Sequence, residues 1–246
     1  MGENRYYSFI FIAIITIVAA GVLSFAAQFL RPIQELNEAV EKKKNIMQAV
    51  GLVESTEKLS REAIINKFDQ SIKPLAVNYR GEIMTLPEGQ SVADIDPEAE
   101  ARKPLEKQLL PVYLQQQDGE TAAYCIPVFG KGLWSTIYGY LALKQDLNTI
   151  KGITFYKHGE TPGLGAEVST QWFTENFEGK QIFDRDSNLV SVEIIKGRVT
   201  ESTPQAYRKV DGISGATKTC DGVNDFLLKD LEKYKNYIMK NRTNKE

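Results

Sequence analysis

The feature that most constrains this chain lies at its start. The segment YYSFIFIAIITIVAAGVLSFAAQFL, Tyr6 to Leu30, contains no charged residue. A helix needs about 20 consecutive apolar residues to cross the hydrocarbon core of a bilayer. A single transmembrane helix over residues 6–30 is therefore expected. A cleaved signal peptide is the competing assignment, but its apolar core would run about 7–15 residues. Arg5 is the one basic residue ahead of the run, and the small residues Ala26 and Ala27 keep the alternative open. Arg31 and the lysines 42–44 lie behind the run. A positive-inside count would keep the C-terminal domain in the cytoplasm, although that rule weakens when a long domain comes after the span.

Behind the span, Ile33, Leu36 and Val40 recur at helical spacing, which extends the helix as an amphipathic stalk. SREAIINKF reads as a second helix capped by Ser60, with Ile64, Ile65, Phe68 and Ile72 on one face and Pro74 at its stop. Four prolines within residues 85–111 predict mostly loop. PVYLQQQDGETAAYCIPVF predicts a hairpin turning at Asp118-Gly119. STIYGYLAL, GITFYKH and LVSVEII are β-branched and aromatic, as strands are. AEVSTQWFTENF carries Val168, Trp172 and Phe173 at helical spacing, and a last helix is expected from Cys220 to Lys240. Strands and helices mix without a βαβ rhythm, so the expected class is α+β.

Composition excludes several chemistries. The net charge of -2 offers no basic surface for nucleic acid. Two cysteines, Cys125 and Cys220, and one histidine, His158, argue against a four-thiolate iron–sulfur cluster and a structural zinc site. The cysteines could pair, but two small buried apolar residues are the preferred reading. No P-loop, dinucleotide fingerprint or nucleophile elbow is present.

Three stretches remain. GKGLWS (130–135) reads as a loop entering a strand with Trp134 half-buried, or as an aromatic wall for a planar ligand. HGETPGLGAE (158–167) reads as a tight turn, or as a loop whose glycines let backbone approach a ligand. DGISGAT (211–217) places Ser214, Gly215, Ala216 and Thr217 at the entry of the last helix. A capping hydroxyl is the plain explanation there. An anion held by free N–H groups and the helix dipole is the sharper one.

In this order, behind one N-terminal span, the three motifs resemble those of the C subunit of the bacterial sodium-translocating NADH:quinone reductases. The likeness covers the span and, most strongly, residues 126–231, whereas residues 45–120 match no motif. It implies residues 6–30 as the span, 31–125 as stalk and first part of the soluble region, and 126–246 as an FMN-binding domain. DGISGAT resembles the flavinylation signature of that domain, whose final threonine carries FMN through a phosphoester. The resemblance puts that bond on Thr217, with Ser214, Gly215 and Ala216 making room for the phosphate. It also puts Gly163 in the cofactor site and sets Trp134, Glu160, Thr161 and Leu164 along the flavin ring.

The implied role is an electron relay between an iron–sulfur centre and another flavin in neighbouring subunits. Neither a catalytic residue nor a metal ligand is implied in this chain. The implied partners are those subunits, the membrane and, during maturation, a flavin transferase. The implied location is the inner membrane with the soluble domain in the periplasm, against the lysine count. An uncharged span offers no sodium path of its own. The related G subunit of the ferredoxin:NAD oxidoreductase complex shares the anchor and the threonine motif, but GKGLWS favours the quinone reductase. A membrane-tethered flavin module without electron transfer is the third reading.

Overall fold

The computed structural model describes residues 3–243. Residues 244–246, the end of the expected last domain, and the side chain of Arg5 lie outside what is described. The chain divides into two units, residues 1–42 and 43–246.

Helix α1, Glu3–Ala49, is one continuous element of 47 residues, so the apolar run and the stalk behind it are a single helix. It is long and apolar enough to cross a membrane. Its side chains from Tyr6 to Ala39 are all exposed, which suits an apolar helix only where lipid replaces water. Within the run, the Thr16 hydroxyl donates back to the Ile12 carbonyl at 2.8 Å, which satisfies a polar group inside the helix. Arg31 and Glu35 pair at 2.8 Å one turn apart, just past the apolar run.

The second unit opens with the end of α1 and then α2, Arg61–Ser71. Ser60 caps α2 as expected, its hydroxyl accepting from the Ala63 N–H at 3.2 Å. Pro74 is not the stop. The chain passes from α2 straight into strand β1, Ile72–Val77, and Pro74 stands inside that strand opposite Tyr113. Strand β2, Ile83–Met84, pairs only with Ala76 and Val77. Beside Pro74 the outer edge of β1 is thus unpaired, and a missing N–H loses no ladder bond there. The stretch expected as loop also holds short helices. Ser91 and Asp94 form a capping box on a 3-10 turn, and Asp96 caps α3, Pro97–Ala101, which starts on proline.

Strands β3, Leu110–Gln117, β4, Glu120–Lys131, β5, Thr136–Lys144, and β6, Ile150–Lys157, complete an antiparallel sheet. Its order is β2-β1-β3-β4-β5-β6. Asp118 and Gly119 both take positive φ, 53° and 83°, which makes the expected two-residue turn between β3 and β4. The division expected at residue 126 falls within β4, so one sheet serves residues on both sides of it.

Both faces of the sheet are covered, which is why its central strands bury consecutive residues. Cys125, Tyr113 and Tyr140 face the side where Phe68 of α2 meets Tyr113 edge to face. On that side a Cβ on Gly152 would fall 2.6 Å from the Ala49 carbonyl, so β6 admits the end of α1 only as glycine. Tyr124, Ile126, Val128, Leu141 and Phe155 face the other side and form the main core.

The remaining chain folds over that main core. AEVSTQWFTENF is not one helix: a 3-10 turn over Gly165–Ser169 gives way at Thr170 to α4, Gln171–Glu175. Val168 and Phe173 are buried there, and Trp172, next to Phe173, necessarily points elsewhere. LVSVEII contributes only β7, Glu193–Ile194, which pairs in parallel with β8, Lys209–Val210. Helix α5, Thr217–Thr243, then crosses the sheet with Val223, Leu227, Leu231, Tyr234 and Ile238 buried, the face expected from its spacing. It starts three residues earlier than expected. Asp230, buried in α5, accepts from the Phe129 N–H of β4 at 2.7 Å and from Lys233 at 2.6 Å. Cys125 and Cys220 are both buried and unpaired with each other.

Candidate functional site

One carboxylate ties the three motifs together. Glu160 is 5% exposed, yet it accepts from the N–H groups of Leu133, Trp134 and Ser135 at 3.2, 3.0 and 3.1 Å. The Thr219 hydroxyl, in the first turn of α5, donates at 2.7 Å to Oε2, the oxygen that also takes the Leu133 N–H. Burial alone would push the Glu160 carboxyl up. The hydrogen bonds from Thr219, Trp134, Ser135 and Leu133 outweigh that and hold it below the ordinary carboxylate value. Glycines permit this convergence. A Cβ on Gly132 would lie 2.7 Å from one Glu160 oxygen, and a Cβ on Gly165 would lie 2.6 Å from the Thr219 hydroxyl.

The start of α5 is built differently from the capping reading. Ala216 occupies the cap position, its carbonyl accepting from the Cys220 N–H at 3.0 Å, so no hydroxyl caps the helix. Among the described residues, the N–H groups of Thr217, Lys218 and Thr219 have no protein acceptor. They are the unpaired donors of a helix start. Gly215, with φ of +76°, turns the chain into the helix in a conformation that favours glycine.

Thr217 opens onto a cleft of about 680 Å³, bordered by the segment 163–176 that includes α4, by residues 194–198 and 211–215, and by the start of α5. Asp211, first residue of its motif, does not simply line this cleft. Its carboxylate accepts from the Val199 N–H at 2.7 Å and so fastens the loop carrying Lys196 and Arg198. The Gly212 N–H donates to the Gly197 carbonyl at 2.8 Å, and a Cβ on Gly212 would strike the Ile195 carbonyl at 2.1 Å. The two-residue pairing of β7 with β8 thereby continues into the site and puts Lys196 and Arg198 on the same cleft as Thr217.

Residues 132–232 match the family model described as FMN-binding domain. The Na(+)-translocating NADH-quinone reductase of Pseudomonas aeruginosa has a C subunit that is 36% identical over 230 residues, which is 87% of this chain and 86% of that one. The corresponding subunit of Vibrio campbellii is 32% identical, with 88% of each chain covered. The crystal structure of the C subunit from Parabacteroides distasonis superposes with a TM-score of 0.72 at 31% identity, covering 85% of this chain and 96% of that one. The chain belongs to the C-subunit family of the Na(+)-translocating NADH-quinone reductases.

FMN is the cofactor of this family's domain, and the site suits it. A cleft of about 680 Å³ lies within the size range of small-molecule sites. Unpaired N–H donors at a helix start, with Lys196 and Arg198 on the same cleft, provide for a phosphate. Trp172 provides an aromatic surface.

Of the residues expected from the sequence, Gly163, Ser214, Gly215 and Thr217 line the cleft, and Ala216 is buried behind them. Glu160 is close but sealed off as the tie between the motifs. Thr161 is exposed, and its carbonyl accepts from the Leu164 and Ala166 N–H groups at 3.1 Å, a turn-forming role. Leu164 rests beside Gly215. Trp134 is 70% exposed, neither half-buried nor among the residues bordering the cleft. The residues that sequence reasoning missed are Trp172, Lys196 and Arg198. Helical spacing puts Trp172 on the buried face of a helix, and two cations in a loop carry no signal until Asp211 fastens that loop.

Proposed function

We propose that this chain is the anchored, FMN-bearing electron-transfer subunit of a sodium-translocating NADH:quinone reductase, with FMN joined to Thr217 through a phosphoester. The observation that carries the reading is the contrast between two hydroxyls. Thr217 lines the cleft and its hydroxyl has no partner among the described residues, whereas the Thr219 hydroxyl is buried and committed to Glu160. Only the first is available to a phosphorus centre. In forming the bond, Thr217 Oγ1 gives up its proton and attacks the flavin-side phosphorus of a flavin dinucleotide presented by a flavin transferase; the P–O bond of the diphosphate breaks, FMN stays on the threonine and the nucleoside monophosphate leaves with the negative charge.

The remaining charge of the phosphodiester is offset by the free donors of the first turn of α5 and by Lys196 and Arg198. FMN supplies the redox chemistry, and the protein supplies position and electrostatics. Helix α1 crosses the membrane once, and the second unit lies on the periplasmic side, where the transferase reaches it. The relatives' names favour this complex over the ferredoxin:NAD one.

The test is flavin fluorescence in a denaturing gel, after co-expression with a flavin transferase. Thr217→Val preserves branched shape without the oxygen and is expected to be dark. Thr219→Ser retains the bond to Glu160 and is expected to fluoresce like the parent. Fluorescence in Thr217→Val would place the attachment elsewhere.

A further inference from the structure

We propose that Trp172 is the wall against which the planar ring of the cofactor stacks, and that Glu167 is the positioning residue that fixes its indole. The inference rests on the reading of Thr217 given above. The Trp172 ring is held by two neighbours. Its N–H donates to Glu167 Oε2 at 3.0 Å, and it packs on Phe173 in a T-shaped pair with 5.7 Å between ring centroids at 76°. Phe173 is fully buried and packs against Phe155 and Phe177 in the main core, so the support is rigid.

Despite this double fixation Trp172 is 46% exposed, and both it and Glu167 border the cleft that holds Thr217. A large aromatic ring fixed by two neighbours and left half-exposed at a cleft presents apolar surface to a flat ligand. The other tryptophan, Trp134, has no ring partner among the described residues and lies off the cleft. The carboxylate at the indole N–H enriches the ring in electron density. An electron-rich face stabilises the electron-poor oxidised flavin more than the reduced one. Loss of either residue therefore shifts the reduction potential to more positive values.

The experiment uses the full chain loaded by a flavin transferase and compares flavin emission in the folded and denatured states. Denatured emission reports how much flavin is attached, whereas folded emission reports contact with an indole, which quenches it. Trp172→Phe is expected to raise folded emission several-fold at unchanged denatured emission, with the potential moved upward. Trp134→Phe is expected to change neither. Glu167→Ala should brighten the folded protein, and Glu167→Gln, which keeps the acceptor, should leave it quenched.

Unchanged folded emission in Trp172→Phe, with its denatured band intact, overturns the wall while leaving the attachment standing. Equal emission in Glu167→Ala and Glu167→Gln removes Glu167 from its positioning role. If the parent shows no denatured band, the covalent reading falls instead. FMN titrated onto the Trp134→Phe chain then reads the wall directly: loss of Trp172 emission supports it, and no loss overturns it.

Discussion

Thr217 and Thr219 stand two positions apart in one helical turn, and the fold gives their hydroxyls opposite surroundings. The difference comes from Glu160, whose carboxylate receives the Thr219 hydroxyl together with three backbone donors. Glu160→Gln retains the shape but turns an amide NH₂ toward groups that are themselves donors. Each donor left unpaired costs about 1–3 kcal/mol. A lower melting temperature and reduced flavin loading are expected for Glu160→Gln. The pH dependence has a definite sign. The folded Glu160 carboxyl lies below its ordinary value of 4.5. Its contribution to stability is therefore fully present above that value and is lost as pH falls through the folded one. Melting temperatures measured from about pH 6 down to about pH 3 should fall more steeply in the parent than in Glu160→Gln. Equal slopes would mean that the carboxylate does not hold the motifs together.

At the scale of elements, the turn between β3 and β4 is the most directly testable. Asp118 and Gly119 are both left-handed, and a side chain at Gly119 meets the steric penalty of that region, about 1–2 kcal/mol. Gly119→Ala is expected to lower stability by about that amount in a denaturant titration and to leave flavin loading unchanged. This hairpin was legible in the sequence because its signal is local: two turn residues between two runs rich in β-branched and aromatic residues. The Ser60 cap and the buried face of α5 were legible for the same reason. The lining of the candidate cleft was legible in Thr217, Gly163 and Gly215. It was not legible in its cations or its indole. Strands of two residues, such as β7 and β8, show no periodicity, and the loop of Lys196 and Arg198 is placed by a hydrogen bond to Asp211 that no spacing announces. Helical spacing misplaces Trp172 because it runs on through Thr170, where the backbone breaks. Glu160 reads as a turn residue because its burial exists only once two loops and the first turn of α5 meet.

For the whole molecule, the second unit has a sheet covered on both faces and a continuous main core of its own. A chain beginning at Lys43 is therefore expected to be soluble, to melt cooperatively and to accept FMN from a flavin transferase in solution. The full chain should partition with membranes and require detergent. A truncated chain that aggregates without detergent would show that the first unit contributes to folding and not only to anchoring.

The meeting of two loops and the first turn of α5 at Glu160 also has a kinetic consequence. The amides of Leu133, Trp134 and Ser135 are protected by an acceptor that stays in place only while the first turn of α5 and the 158–167 loop do. They should therefore exchange with deuterium as one cooperative group, at the rate at which the whole cradle opens rather than each at its own rate. The phosphoester proposed on Thr217 would pin one wall of that cradle, so flavin attachment should slow the exchange of all three amides together. The 130–135 segment would then report, from a different part of the chain, whether the cofactor is in place.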